Sequence, residues 1–144
     1  MTRINLVPPQ TLSDKHLMAE YRELPRIFTA VRKLYDQGKT LADVDIPQQY
    51  VLGKGHCKFF YRRLWWLERR LILIRKELVR RGVNINESLF ASILTDSARL
   101  CGLRNARPFL VHYTPTNEEI YLNMARLVKR GKFDRATEEI NNKE

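Results

Sequence analysis

The sequence predicts an all-α fold: a compact single domain of three main helices with long connecting loops and a short C-terminal helix. Two observations carry this. Leu17, Tyr21, Leu24, Phe28, Val31 and Tyr35 recur at alternating steps of four and three, and Phe60, Leu64, Leu67, Leu71, Ile74 and Leu78 repeat that stepping. Such spacing lines one face of an amphipathic helix. A third observation is that no strand of consequence, repeat or low-complexity tract interrupts the pattern.

In the first helix, Ser13 or Asp14 can cap the start and Gly38 can end it. Pro25 lies inside, where it removes one backbone hydrogen bond and predicts a bend between Arg22 and Arg26, beside Glu23. A polar connection through Asp45-Ile46-Pro47 leads to Gly53-Lys54-Gly55-His56, which reads as a turn starting the second helix because it lacks the spacing of a phosphate loop. The second helix is expected from near His56 to Arg81, stopping at Gly82. Its other faces are basic, and Glu68 and Glu77 offset little of that charge. Trp65 and Trp66 are adjacent and cannot share a helical face, so one is expected near the core and the other partly exposed.

From Val83 to Tyr113 the pattern weakens: a short helix within 87–100, then a basic loop with Arg99, Arg104, Arg107 and Pro108. A third main helix is expected with Thr114 as cap and Pro115 at its first position, ending at Gly131. Tyr121, Met124 and Val128 mark its core face, and 133–140 suits a last short helix.

A chain of 144 residues with 44% hydrophobic content can bury a core as one domain over 1–144. The 26 Lys+Arg against 16 Asp+Glu leave +10, which favours a polyanion or an anionic membrane surface as partner. Cys57 and Cys101 make no disulfide framework, and His16, His56 and His112 show no metal-ligand spacing, so neither metal nor cofactor is expected. The most apolar stretch, near Trp65 to Leu73, is broken by Glu68, Arg69 and Arg70, so no membrane span is expected. With no signal-peptide pattern, a cytoplasmic location is expected; the chain is also expected to be a monomer.

Three groups could carry chemistry. Removing Met1 would expose an α-amine on Thr2. With a pKa near 7.7–8.0, roughly a quarter of such an amine is free base at pH 7.4, against about a thousandth of a lysine. A neutral amine can attack a sugar's anomeric carbon as a base departs, giving an imine that acidifies the neighbouring proton and permits β-elimination. Glu23 could stabilise the cationic sugar and manage protons, or could simply pair with Arg22 or Arg26 at the surface. His16 lies seven residues before Glu23 on the same face, and Glu20 lies three before it. Arg22 and Arg26 form a basic stripe that Lys15 and Lys33 extend, and Arg126 and Arg130 repeat the four-residue spacing. Such stripes suit phosphate oxygens.

Met1-Thr2-Arg3-Ile4-Asn5-Leu6 together with His16-Leu17-Met18-Ala19-Glu20-Tyr21-Arg22-Glu23-Leu24-Pro25-Arg26 resembles the pyrimidine-dimer DNA glycosylases, the phage endonuclease V family. The resemblance continues through Leu52-Gly53-Lys54-Gly55-His56, Phe59-Phe60-Tyr61 and Arg81-Gly82-Val83-Asn84-Ile85 to a local Ala125-Arg126-Leu127 match. It implies a metal-free glycosylase with coupled abasic lyase activity on cyclobutane pyrimidine dimers in double-stranded DNA. Thr2 would be the amine nucleophile and Glu23 the catalytic carboxylate, while Arg3, Lys15, His16, Arg22, Arg26, Arg126 and Arg130 would contact DNA. Lys15 stands where a phage member has a neutral amide, and the divergent tail from about 132 to 144 is acidic where the phage enzyme's is basic and aromatic. Rival readings are the same chemistry on other lesions or bare abasic sites, and a non-catalytic basic nucleic-acid-binding domain.

Overall fold

Helix α1 (Asp14–Asp36) starts at the expected cap: the Ser13 hydroxyl accepts the His16 N–H. This serine satisfies one of the orphan N–H groups of the first turn. In the computed structural model, which describes residues 3–101 and 109–129, α1 runs uninterrupted through a buried Pro25. It ends at Gly38, whose φ of +72° is open to glycine at little cost, and the Lys39 N–H closes back on the Leu34 carbonyl. Leu17, Tyr21, Leu24, Phe28 and Val31 form its buried face, as their spacing predicts.

The expected second helix is two helices. A short α2 (His56–Phe59) and a 3-10 turn (Phe60–Arg62) precede α3 (Leu64–Arg80). The chain breaks at Arg63, with φ −122° and ψ 38°. The cause is visible. The Arg62 carbonyl is taken by the Val111 N–H at 2.8 Å, and Arg63 bridges Leu110, so a distant segment captures what a continuous helix would use. Phe59 and Phe60 on either side of α2's end are both fully buried. The break lets both enter an edge-to-face aromatic cluster with Tyr50, His56 and Tyr113, with Trp66 stacked on Phe60 at 5.5 Å. Trp66 is thus the packed tryptophan, while Trp65 is 46% exposed.

Helix α4 (Glu87–Cys101) fills the stretch over which the sequence predicts a helix, one residue longer at its end. Asn86 accepts both the Ser88 N–H and hydroxyl at its start, and Arg75 of α3 grips Glu87 with two hydrogen bonds of 2.9 and 2.8 Å. Its sequence pattern is weak because its anchoring is narrow: Ile93 is buried, with Leu89 and Phe90 half-buried beside it. The remainder of the expected basic loop, 102–108, lies outside the described residues.

The buried face of helix α5 (Asn117–Lys129) carries Asn123 and Leu127, not Tyr121, which is 59% exposed. The helix begins at Thr116, not at Thr114 with Pro115. The deciding residue is Glu119. Its N–H donates to the Thr116 hydroxyl and its carboxylate accepts the Thr116 N–H, a reciprocal cap that Thr114 cannot make with Asn117 three positions on. The expected end at Gly131 and the helix over 133–140 lie outside the described residues.

Among the described residues there is no strand, and one hydrophobic cluster reaches from Ile4 to Leu127. The C-terminal end of α3 is tied to the start of α1 by Arg81, which pairs with Glu77 and Asp14, each at 2.9 Å. Glu77 is therefore a buried anchor and not a stray surface charge. The Arg80 hydrogen bond, aided by that of Arg81, holds its carboxyl at about 2 despite burial.

Candidate active site

Residues 3–7 belong to no helix or strand, yet Ile4 to Val7 are buried. Buried main-chain N–H groups must find acceptors, and here no neighbouring strand supplies them. Side chains from three helices do so. Arg3 N–H donates to Glu23 Oε2 at 3.2 Å, Ile4 N–H to His56 Nε2 at 2.8 Å, and Asn5 N–H to Glu20 Oε1 at 3.3 Å. Leu6 and Val7 N–H both donate to Asn123 Oδ1, at 2.7 and 3.2 Å. The Ile4 carbonyl accepts the Tyr50 hydroxyl at 2.8 Å, and the Val7 carbonyl accepts from Arg70.

Glu20 is the hub. It is 1% exposed and accepts from Asn5 Nδ2 at 2.9 Å, and its two oxygens take Arg70 Nε at 2.7 Å and Nη2 at 3.1 Å. A buried carboxylate is tolerable only when paired and hydrogen-bonded in this way. Asn5 Oδ1 in turn accepts from Asn123 and from Arg126. The network joins the N-terminal segment to α1, α3 and α5.

His56 and Tyr50 close the other side. Gly55, at φ +90°, turns the chain into α2, and a Cβ there would meet Pro47 Cγ at 2.9 Å. The turn aims the His56 ring inward, where Nδ1 donates to the Val51 carbonyl at 2.8 Å. Burial pushes the imidazole below its usual range, and the nearby Arg126 and Arg3 charges act in the same direction. Tyr50 is pushed well up by burial. Its N–H donates to Glu119 at 2.6 Å. Burial alone would raise the Glu119 carboxyl, but hydrogen bonds from Thr116, Tyr50 and Tyr113 outweigh it and hold the group down.

Glu23 stands one turn beyond Glu20 on α1 and is only half-buried. Its carboxylate therefore meets both the Arg3 main chain and solvent. Lys15, Arg22, Arg26 and Lys33 are exposed on the same helix, so the basic stripe is accessible. His16 is half-buried at the start of α1. Arg3 is half-buried beside Glu23 through its main chain. Arg126 reaches inward to Asn5, so it supports the segment whatever else it does. Thr2 and Arg130 lie outside the described residues. The structure thus brings together Arg3 and Glu23, with the α1 arginines flanking them. A half-buried carboxylate flanked by arginines of its own helix can steady a developing positive charge.

Sequence reasoning missed Glu20, His56, Arg70 and Asn123. For three of them a signal existed. Glu20 falls between Leu17 and Leu24, Arg70 between Leu67 and Ile74, and Asn123 between Ile120 and Leu127. Each is a polar residue at the centre of an apolar three-and-four stripe, a position that predicts burial with a partner. His56 gave no such signal, because a four-residue helix has no period to read.

No group of three or more His, Cys, Asp or Glu among the described residues could hold a metal ion, and no described helix is long and apolar enough to cross a membrane. A family model described as pyrimidine dimer DNA glycosylase matches residues 1–91, a span holding Arg3, Glu20, Arg22, Glu23, Arg26 and His56.

Proposed function

The chain belongs to the pyrimidine dimer DNA glycosylase family, and from that premise we propose that it cuts the glycosyl bond at cyclobutane pyrimidine dimers and then nicks the strand as a lyase. The nucleophile is the α-amine of Thr2 after loss of Met1. Its neutral nitrogen attacks C1′ of the 5′ pyrimidine nucleotide, and the base nitrogen leaves with the bonding pair, the base staying tethered through the cyclobutane ring. Loss of a proton from nitrogen and departure of the ring oxygen give an imine. Removal of a C2′ proton then expels the 3′ phosphate by β-elimination, and water releases the amine.

The observation that carries this reading is the hydrogen bond from the Arg3 main-chain N–H to Glu23, at 3.2 Å. Adjacent Cα atoms are roughly 3.8 Å apart, so the amine of a chain beginning at Thr2 is covalently one residue from that contact. Glu23 can then face the cationic sugar and next the C2′ proton. Arg22 and Arg26, exposed one turn apart around Glu23, suit phosphates on either side of the lesion, with Arg3, Lys15 and His16 nearby in sequence and Arg126 and Arg130 as further contacts. Affinity should fall steeply with salt, since it rests on neutralised phosphates.

Borohydride trapping on ultraviolet-irradiated duplex, with mass spectrometry of the N-terminal peptide, tests this. A DNA adduct on Thr2, absent with undamaged DNA, is expected. If Met1 is absent and no adduct forms, the dimer reading fails. An adduct on abasic duplex alone would favour a lyase acting on other sites, and none on any substrate would favour a plain binding domain.

A further inference from the structure

We propose that His56 is a positioning residue for this reaction: its uncharged ring, carrying hydrogen on Nδ1, holds residues 3–7 in the register that presents the chain's start to Glu23. The inference rests on the functional reading above and deepens it.

The geometry fixes the ring's state. Nδ1 lies 2.8 Å from the Val51 carbonyl, which can only accept, so Nδ1 carries a hydrogen. Nε2 lies 2.8 Å from the Ile4 N–H, which can only donate, so Nε2 must offer its lone pair. Only the neutral imidazole satisfies both. A proton on Nε2 would set two N–H groups against each other at that distance. The Ile4 peptide must then move, and Arg3, which bonds Glu23, is its direct neighbour.

The surroundings oppose that proton. Tyr50 and Phe60 stand edge-on to the ring at 5.2 and 5.7 Å. The charges that face it are Arg3 on the segment, Arg126 on α5 and Glu20 on α1. Glu20 alone would favour protonation, and Arg70 of α3 pairs with it at 2.7 Å. Tyr50 also clamps the Ile4 carbonyl, so both polar ends of residue 4 are fixed by elements other than α1, which carries Glu23. His56 thus sets one half of a distance whose other half belongs to a separate helix.

The test uses the full chain in single-turnover borohydride trapping on a duplex with one abasic site, with the dissociation constant measured in parallel. H56Q can still accept the Ile4 N–H and takes no proton, whereas H56F keeps a ring and accepts nothing. At saturating DNA, H56F should trap roughly tenfold or more slowly while its dissociation constant stays within about threefold of the unsubstituted chain, because misplacement of a reacting group costs rate and not phosphate contacts. H56Q should stay within about threefold in both. Below about pH 6 the unsubstituted chain should lose rate more steeply than H56Q, whose side chain takes no proton. An H56F rate equal to that of the unsubstituted chain, or an H56Q rate as low as H56F, overturns the proposal. If H56F does not fold by circular dichroism, the acid limbs decide, and parallel limbs for the unsubstituted chain and H56Q overturn it. An unsubstituted chain that traps nothing on abasic DNA defeats the functional reading and this inference together. Trapping with indistinguishable variants defeats the inference alone.

Discussion

Glu20 and Glu23 sit one turn apart on the same helix and are held in opposite ways. Glu20 is sealed in the core, bonded to Arg70 and Asn5, with nothing left to offer a substrate. Glu23 is half-buried, accepts a main-chain N–H from Arg3, and remains open to solvent. Residue type does not separate them. What separates them is saturation. A carboxylate whose oxygens are already committed to a guanidinium and an amide is scaffold, and one that is partly committed remains available for chemistry.

The largest effect that could break this contrast is on Glu23. E23Q keeps an oxygen for the Arg3 N–H and removes the charge. Cleavage and trapping on dimer-containing duplex should fall by about 10³-fold or more, a loss of roughly 4 kcal/mol in barrier terms. Binding should be retained and the melting temperature little changed. A variant that nicks normally would put Glu23 back among ordinary surface pairs.

Next comes E20A, which leaves Arg70 buried without its partner. A loss of about 3–5 kcal/mol in unfolding free energy is expected by denaturant titration. Any activity that remains at low temperature should be slowed by roughly tenfold, as expected of H56F, because Asn5 of the same segment loses its acceptor. A stable E20A protein with abolished chemistry would reverse the two assignments.

The exposed stripe supplies a third contrast, between charges that hold the fold and charges that hold DNA. R22A and R26A should each weaken binding across all duplex sequences and lower the slope of log affinity against log salt by about one, with stability nearly unchanged. R70A, by comparison, should unfold the protein before it alters that slope. An unchanged slope in both surface variants would leave the stripe as a solvated face.

The smallest expected effect is acid lability from His56. Its ring is pushed below its usual value in the folded protein, so between the two values the unfolded chain binds more protons. Stability from this group is complete above about pH 6.5 and declines as pH falls below it. Melting temperature measured from pH 7 to pH 5 should drop more for the unsubstituted chain than for H56Q. Equal slopes would mean that the ring is not held neutral by the fold.

Much of this was legible in the sequence. The stepping of Leu17 to Val31 gave α1 and its buried face, and Ser13 and Gly38 gave its ends, because those signals are local and obey the geometry of a single helix. The all-α class, the net charge and the exposed α1 stripe follow from the same kind of reading. The helix starting at Thr116 was also within reach, since Glu119 stands three residues beyond it. The break at Arg63 was not. It depends on Val111 reaching the Arg62 carbonyl from a distant part of the chain.

The candidate site divides along the same line. The sequence by itself placed Glu23 among arginines on one helix and set a potential amine at the chain's start. Only the tertiary structure decided that residues 3–7 are threaded through the core on acceptors from Glu23, Glu20, His56 and Asn123, the last more than a hundred residues away. Periodicity reports which face of an element is apolar, because burial of that face is a property of the element alone. It is silent on which buried polar group meets which, because each such bond needs two distant residues to arrive together and has no energy until they do.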